Sequence, residues 1–194
     1  MEKGVLFIVS GPSGVGKTCL VNEAIKRLKD EGHDIGRVVT YTSRSPRPKE
    51  VDGEDYLFIP KEDFQQKIRD DFFLEFSEHL GHFYGSPKII DGNLDLGKSF
   101  VLIINIEGVK NAKKTYDDSI SIWIDPPDAN VLKTRLLGRN DCDEKKVERR
   151  LQKSKEEIEQ AHKMRLFKYF LVNDVFEQAV NEFILLVKKI LKQI

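Results

Sequence analysis

Apolar residues run without alternation from Val5 to Val9, and glycines follow at once. A strand with one face in water alternates, so this run predicts a strand buried on both faces over Val5 to Ser10. The period then changes. Leu20, Ala24, Ile25 and Leu28 recur at helical spacing and predict a helix over Cys19 to Leu28 that ends near Gly32. The switch repeats along the chain. Arg37 to Thr42 predicts a second strand. Phe100 to Ile106 predicts another buried strand and Gly108 to Tyr116 a helix. Ile120 to Ile124 predicts a further strand, closed by Pro126-Pro127. Asp128 then caps a helix carrying Val131, Leu132, Leu136 and Leu137 on its apolar stripe. Gly138 to Asp143 interrupts the pattern before a long charged helix, Asp143 to about Met164. Tyr169 to Val172 is the last predicted strand and Val175 to Ile194 a final amphipathic helix.

The middle of the chain is less periodic. Ser43 to Asp55 is rich in proline, glycine and charge and predicts a long loop. Tyr56 to Ile59 and Phe72 to Phe76 predict short strands around a helical segment from Pro60 to about Asp70. Gly81 to Ser86 reads as a glycine-punctuated turn bearing Phe83 and Tyr84, and Pro87 to Lys98 as weakly helical. Apolar strands alternating with helices predict an α/β fold with a parallel sheet covered on both faces. Ligands of such sheets bind beyond the carboxyl ends of the strands, so the stretches after Val9, Val39, Ile104 and Val172 should converge there.

The first of these stretches carries chemistry. Gly11-Pro12-Ser13-Gly14-Val15-Gly16-Lys17-Thr18 fits G-x-x-x-x-G-K-[ST], with a buried strand before it and a helix after it. Its glycines let successive N–H groups turn inward at a helix N-terminus and form a concave anion site. Lys17 is placed to reach the β- and γ-phosphates of a nucleotide. Thr18 offers a hydroxyl to Mg2+, which takes hard oxygen ligands and is shared with nucleotide phosphates.

Composition narrows the class. At 194 residues the chain suits one compact unit with smaller mobile lobes. Its 32 Lys and Arg balance 32 Asp and Glu, so nothing points to nucleic acid or an acidic membrane as partner. Cys19 and Cys142 lie far apart and suggest neither a zinc site nor a disulfide. The apolar run near the amino terminus is too short for a signal peptide or a membrane span, and the expected setting is cytoplasmic. His33, His79, His82 and His162 form no evident shared site, so none is assigned a catalytic role.

Thr42-Ser43-Arg44-Ser45-Pro46-Arg47-Pro48 followed by Glu50-Val51-Asp52-Gly53-Glu54-Asp55-Tyr56 strongly resembles the guanylate kinases. Phe73-Leu74-Glu75, Phe83-Tyr84-Gly85-Ser86, Asp125-Pro126-Pro127, Arg135-Leu136-Leu137-Gly138-Arg139, Arg150-Leu151 and Val172-Asn173-Asp174 continue the resemblance in order over essentially the whole chain. It implies a P-loop NTPase-type parallel sheet flanked by helices, with an acceptor-nucleotide lobe and a helical lid. The implied single domain has its core at about 1–37, 98–127 and 156–194, its GMP-binding lobe at about 38–97 and its lid at about 128–155. The implied reaction moves the γ-phosphoryl of ATP to GMP, and to dGMP, with Mg2+.

Residue chemistry bears on each implied role. Guanidinium forks bind phosphate oxygens in pairs, and Pro46 fixes the relative direction of Arg44 and Arg47; solvated surface arginines are the plain alternative. Tyr56 and Tyr84 are implied to donate to the same acceptor phosphate, whereas without the resemblance aromatic packing is the commoner role for such residues. Glu75 sits in the apolar frame Phe72 to Phe76, where a carboxylate is costly unless it finds donors. Guanine offers N1–H and N2–H on one edge, and adenine does not. Ser86 and Thr40 are implied to contact the base, Thr40 standing where relatives use serine. Arg135, Arg139 and Arg150 resemble arginines that close on the transferring phosphoryl. With Lys17, Arg44, Arg47 and one magnesium they offset the charge of a loose, in-line transition state, which needs no protein nucleophile. Asn173 and Asp174 are implied to contact the ATP adenine, or else form a strand-end turn.

One departure is substantial. Where guanylate kinases commonly carry two aspartates, Leu102 to Gly108 has Ile103 and Asn105. Ile103 accepts no hydrogen bond, and Asn105, carried over as a GMP-binding position, keeps an amide oxygen without the charge. Activity then survives with weakened metal organisation, or Glu107 partly substitutes. Two other readings stay open at this point: a noncatalytic protein-interaction module built on the same domain, and a P-loop kinase with another small phosphorylated acceptor.

Overall fold

The computed structural model describes residues 3–48, 50–138 and 144–192. The buried run at the amino terminus forms strand β1 (Leu6–Ser10), and the phosphate-loop motif leads directly into helix α1 (Lys17–Asp30). Strands β2 (Ile35–Arg37), β7 (Ser99–Ile103), β8 (Ile120–Asp125) and β9 (Tyr169–Val172) join β1 in a five-stranded sheet ordered β2-β7-β1-β8-β9, with every pairing parallel. The predicted sheet class is therefore present.

The period of two explains how the sheet is covered. Phe7 and Val9 point to one face and meet α1 and α7 (Phe176–Leu191) through Leu20, Ala24, Leu28, Val180, Phe183 and Val187. Leu6 and Ile8 point to the other and join Leu102, Trp123, Val109 and Ala161. That face is covered by α3 (Asp91–Asp95), α4 (Ile106–Thr115) and α6 (Glu144–Lys163). Strands with apolar residues at both parities thus sit between two helical layers.

Three expectations need correcting. The stretch from Arg37 to Thr42 is not one strand: Ile35–Arg37 pairs with Ser99 to Val101 of the main sheet, whereas Tyr41–Thr42 forms β3 in a second sheet. Residues 38–40 cross between the two. The predicted turn at Gly81 to Ser86 is mostly strand, β6 (His82–Pro87), in a hairpin with β5 (Phe73–His79). Leu80 and Gly81, both at positive φ, make the actual turn. Phe72 to Phe76 was also too short, since β5 continues to His79. The weakly helical stretch resolves into a 3-10 turn, Lys88–Ile90, followed by α3.

The second sheet, ordered β4-β3-β6-β5 with β4 at Leu57–Phe58, is closed underneath by α2 (Lys61–Arg69). Phe64 of α2 stacks on Phe73 and on Phe83, with ring centroids 4.5 and 5.4 Å apart. Gly85 lies against these rings: a Cβ there would stand 2.8 Å from Phe64 and 2.9 Å from Phe73. Gly85→Ala is expected to destabilise the protein by about 1–3 kcal/mol through overpacking. That corresponds to a Tm lower by roughly 3–10 °C in calorimetry.

Helix α5 (Ala129–Leu137) and the start of α6 pack through a small separate cluster, Leu132, Leu136, Val147 and Leu151. Asp128 caps α5 as expected, accepting from the N–H groups of Asn130 and Val131. No helix among the described residues is long and apolar enough to cross a membrane.

Candidate active site

A cavity of about 310 Å³ opens at the carboxyl ends of β1 and β7 and extends to the second sheet. At one end it is lined by Gly11, Ser13, Gly14, Gly16, Lys17 and Thr18. The loop's shape follows from its glycines. Gly14 and Gly16 have φ of 91° and 94°, and a Cβ on Gly11 would stand 2.4 Å from the Ile124 carbonyl oxygen. Lys17 donates to the carbonyl oxygens of Gly11 at 2.7 Å and Pro12 at 3.0 Å, folding its ammonium over the loop. Pro12 and Val15 shape this loop from outside the cavity wall; Val15 is buried, and its carbonyl faces away toward Asn173.

Asn173 belongs to that support. It is 3% exposed, its side-chain amide donates to Val15 O at 2.7 Å, and a Cβ on Gly16 would meet that amide at 2.7 Å. The residue expected at the adenine thus braces the loop from behind. Asp174 beside it is exposed, and its carbonyl accepts from Arg135. Arg135 also donates to the carbonyls of Asn173 at 3.0 Å and Val15 at 3.4 Å, so it spans from α5 to the back of the loop. Arg150 lines a small recess with Ser13, His79, Lys153 and Glu157. Arg139 lies outside the described residues.

Thr40, Arg47, Tyr56, Tyr84 and Asn105 line the other end of the cavity. Tyr56 and Tyr84 meet edge to face with ring centroids 6.0 Å apart. Burial, then the Tyr84 phenol, pushes the Tyr56 phenol above its ordinary value, keeping it a donor. Arg44 stands behind this wall. One of its nitrogens is 2.9 Å from each oxygen of Glu50, and its guanidinium lies over the Tyr56 ring at 5.5 Å. Glu50 also accepts from the Arg47 N–H at 2.7 Å. Glu50, quoted in the sequence only as part of a motif, therefore fixes both arginines. An acidic residue three positions after an arginine in a proline-rich loop was the signal available.

Glu75 and Ser86 face each other across the β5–β6 pair, behind the cavity wall. Glu75 is 3% exposed and accepts from the Ser86 hydroxyl at 2.6 Å. Its second oxygen, Oε2, is buried and has no hydrogen-bond partner among the described residues. Burial pushes the carboxyl up to about 7 against the pull of the Ser86 hydroxyl and N–H. Gly108 leaves room for this group, since a Cβ there would stand 2.8 Å from Oε2. A buried carboxylate with one unmet oxygen is suited to a ligand edge carrying two donors.

Asn105 turns out to cap α4. Its Oδ1 accepts from Gly108 N at 2.8 Å and its amide donates to the Ser77 hydroxyl at 2.9 Å. Glu107 is exposed and holds Lys110 at 3.0 Å, outside the cavity lining. His79, left without a role from sequence, lines the cavity with Ser77 and Glu157. Burial and the nearby Lys153, Lys17 and Arg150 push its imidazole down to about 4. Strand alternation from Glu75 through Ser77 to His79 was the sequence signal for all three.

No group of three or more His, Cys, Asp or Glu side chains suited to a metal exists among the described residues. Thr18 remains the hydroxyl at the phosphate loop, a donor set that fits an ion carried largely by substrate phosphates.

Comparison with known proteins agrees with this geometry. The family model described as guanylate kinase matches residues 3–192. A guanylate kinase of Thermus thermophilus is 36% identical over 183 residues, covering 94% of this chain and 80% of its own. That of Thiobacillus denitrificans is 38% identical over 188 residues, covering 96% and 87%. Among solved structures, the guanylate kinase of Anaplasma phagocytophilum superposes with a TM-score of 0.79 at 26% identity, covering 97% of this chain and 86% of that one. The phosphate loop at the carboxyl end of a parallel sheet and the tyrosine-arginine wall across the cavity from it thus lie in a chain that belongs to the guanylate kinase family.

Proposed function

We propose that this protein transfers the γ-phosphoryl of ATP to GMP, and to dGMP, giving ADP and GDP or dGDP. The observation that carries the reading is one cavity with the phosphate loop at one end and Arg47, Tyr56 and Tyr84 at the other. A donor triphosphate on the loop and an acceptor monophosphate on the tyrosine-arginine wall would face each other across it.

The chain's own groups bind, orient and shield. Loop N–H groups and Lys17 take the donor phosphates, while Arg47, Tyr56 and Tyr84 take the acceptor phosphate and Arg44, behind them, adds its positive charge to that site. Glu75 selects guanine, with Ser86 holding its other oxygen and Thr40 and Asn105 bordering the base. Thr18 would hold a magnesium ion shared with ATP, which supplies neutralising charge on the phosphate oxygens. No protein nucleophile is required, since a loose in-line transfer needs alignment and charge compensation. Residues of about 128–155 form the lid carrying Arg135, Arg139 and Arg150, and residues of about 38–97 the acceptor lobe. Closure of both excludes water and suppresses ATP hydrolysis.

ADP formation from MgATP with GMP, dGMP, AMP, CMP and UMP in parallel tests the reading. Turnover is expected with GMP and dGMP. Equal or better turnover with AMP, or none with any acceptor, would overturn it.

A further inference from the structure

The described end of β7 brings no carboxylate to the donor phosphates, because Ile103 is apolar and Asn105 is a neutral cap. A carboxylate arrives from elsewhere. Glu157 lies on the inward face of α6, three residues after buried Ser154 and four before buried Ala161. Its side chain is only 14% exposed. A carboxylate on such a face is costly unless local cations or a ligand make use of it. Glu157 lines both the main cavity and the recess shared by Ser13 of the phosphate loop, His79, Arg150 and Lys153.

The surrounding charges single it out. Of the other carboxylates on the cavity wall, Glu50 is engaged with Arg44 and Arg47, and Asp55 accepts from the Val51 N–H in the acceptor loop. Glu157 is therefore the carboxylate that the described residues present at the phosphate-loop end. Glu157 and Lys17 line the same cavity; burial raises the carboxyl's pKa, and the positive charges of Lys17 and Lys153 oppose that. Its neighbour His79, with Nδ1 3.8 Å from Glu157 Oε1, is held neutral and adds no competing positive charge.

We propose, building on the kinase reading above, that Glu157 is a positioning residue for phosphoryl transfer: from α6 it orients Lys17 across the cavity, in place of a carboxylate at the end of β7. Lys17 donates to its own loop carbonyls, Gly11 O and Pro12 O. A negative charge across the cavity draws the ammonium off them toward the transferring phosphoryl.

Glu157→Gln removes the charge and keeps the size. It is expected to lower kcat by about 30-fold through lost alignment, with KM for GMP changed less than about twofold. Metal-free ATP, measured by calorimetry, should bind this variant about threefold more tightly, since one negative charge near the phosphates is gone. Structural damage would weaken that binding instead. Glu157→Asp should keep most of the turnover, and adding Asn105→Asp to Glu157→Gln should recover part of it. The proposal is overturned by a Glu157→Gln kcat within twofold of wild type, by weaker metal-free ATP binding, or by no recovery in either carboxylate-bearing variant. A wild-type protein without GMP-dependent turnover would instead remove the kinase reading, and the ATP-binding arm would still decide the role of Glu157.

Discussion

Lys17→Ala is expected to lower GMP-dependent ADP formation by about a thousandfold while the protein stays folded. The Lys17 ammonium donates to Gly11 O and Pro12 O, so it spans the glycine-rich loop. Charge spread over the equatorial oxygens of a transferring phosphoryl is met by such preorganised donors, and a compact ammonium on a flexible stem can follow that group. Folding rests elsewhere. Leu20, Val21, Ala24 and Leu28 anchor α1 in the core, and alanine suits a first helical turn. Steady-state kinetics beside a thermal melt check both halves: turnover within tenfold of wild type in a folded variant would show that this loop does not hold the donor.

Elements with a strong local signature were legible in the sequence. β1 and the loop after it declare themselves because a doubly buried strand must be apolar throughout, and a phosphate cradle needs glycines at particular places. Asp128 was readable as a cap for the same local reason. What failed depended on partners distant in the chain. Residues 37–42 all favour strand, yet which edge each pairs with is set by β7 on one side and β6 on the other. β6 looked like a turn because Gly85 is there to admit two phenylalanine rings, a packing demand invisible in its own neighbourhood. The site divides in the same way. Glu75 stood out against its apolar frame, whereas Glu157 was hidden in a helix of many charges. Only the buried positions Ser154 and Ala161 reveal which face it occupies.

Glu75→Gln is expected to lower turnover with GMP by about 10⁴-fold and yet to raise thermal stability above neutral pH. The carboxyl is held near 7, against an ordinary value of 4.5, because it is buried, with Oε2 lacking a donor among the described residues. A carboxyl whose pKa is raised by folding destabilises the fold when ionised. The penalty is absent below the unfolded value of 4.5, grows as pH rises, and is complete above about 7. Two and a half units correspond to about 3 kcal/mol, so the glutamine variant should melt roughly 5–10 °C higher at pH 8, with the gain vanishing toward pH 4.5. Glutamine retains an oxygen for the Ser86 hydroxyl and places an amide where guanine also has a donor, so donor faces donor and the base is rejected. The same ionisation governs the wild type: KM for GMP is expected to rise by about tenfold per unit as pH falls below about 7, while KM for ATP does not follow. Melting curves and initial rates at pH 5.5, 7 and 8 check both signs. A variant that gains no stability at pH 8, or a wild-type KM for GMP flat across that range, would mean that Glu75 is not the ionised partner of the base. With both signs as expected, the penalty carried by the fold and the discrimination for guanine have one origin, a buried Glu75 oxygen that no described residue satisfies.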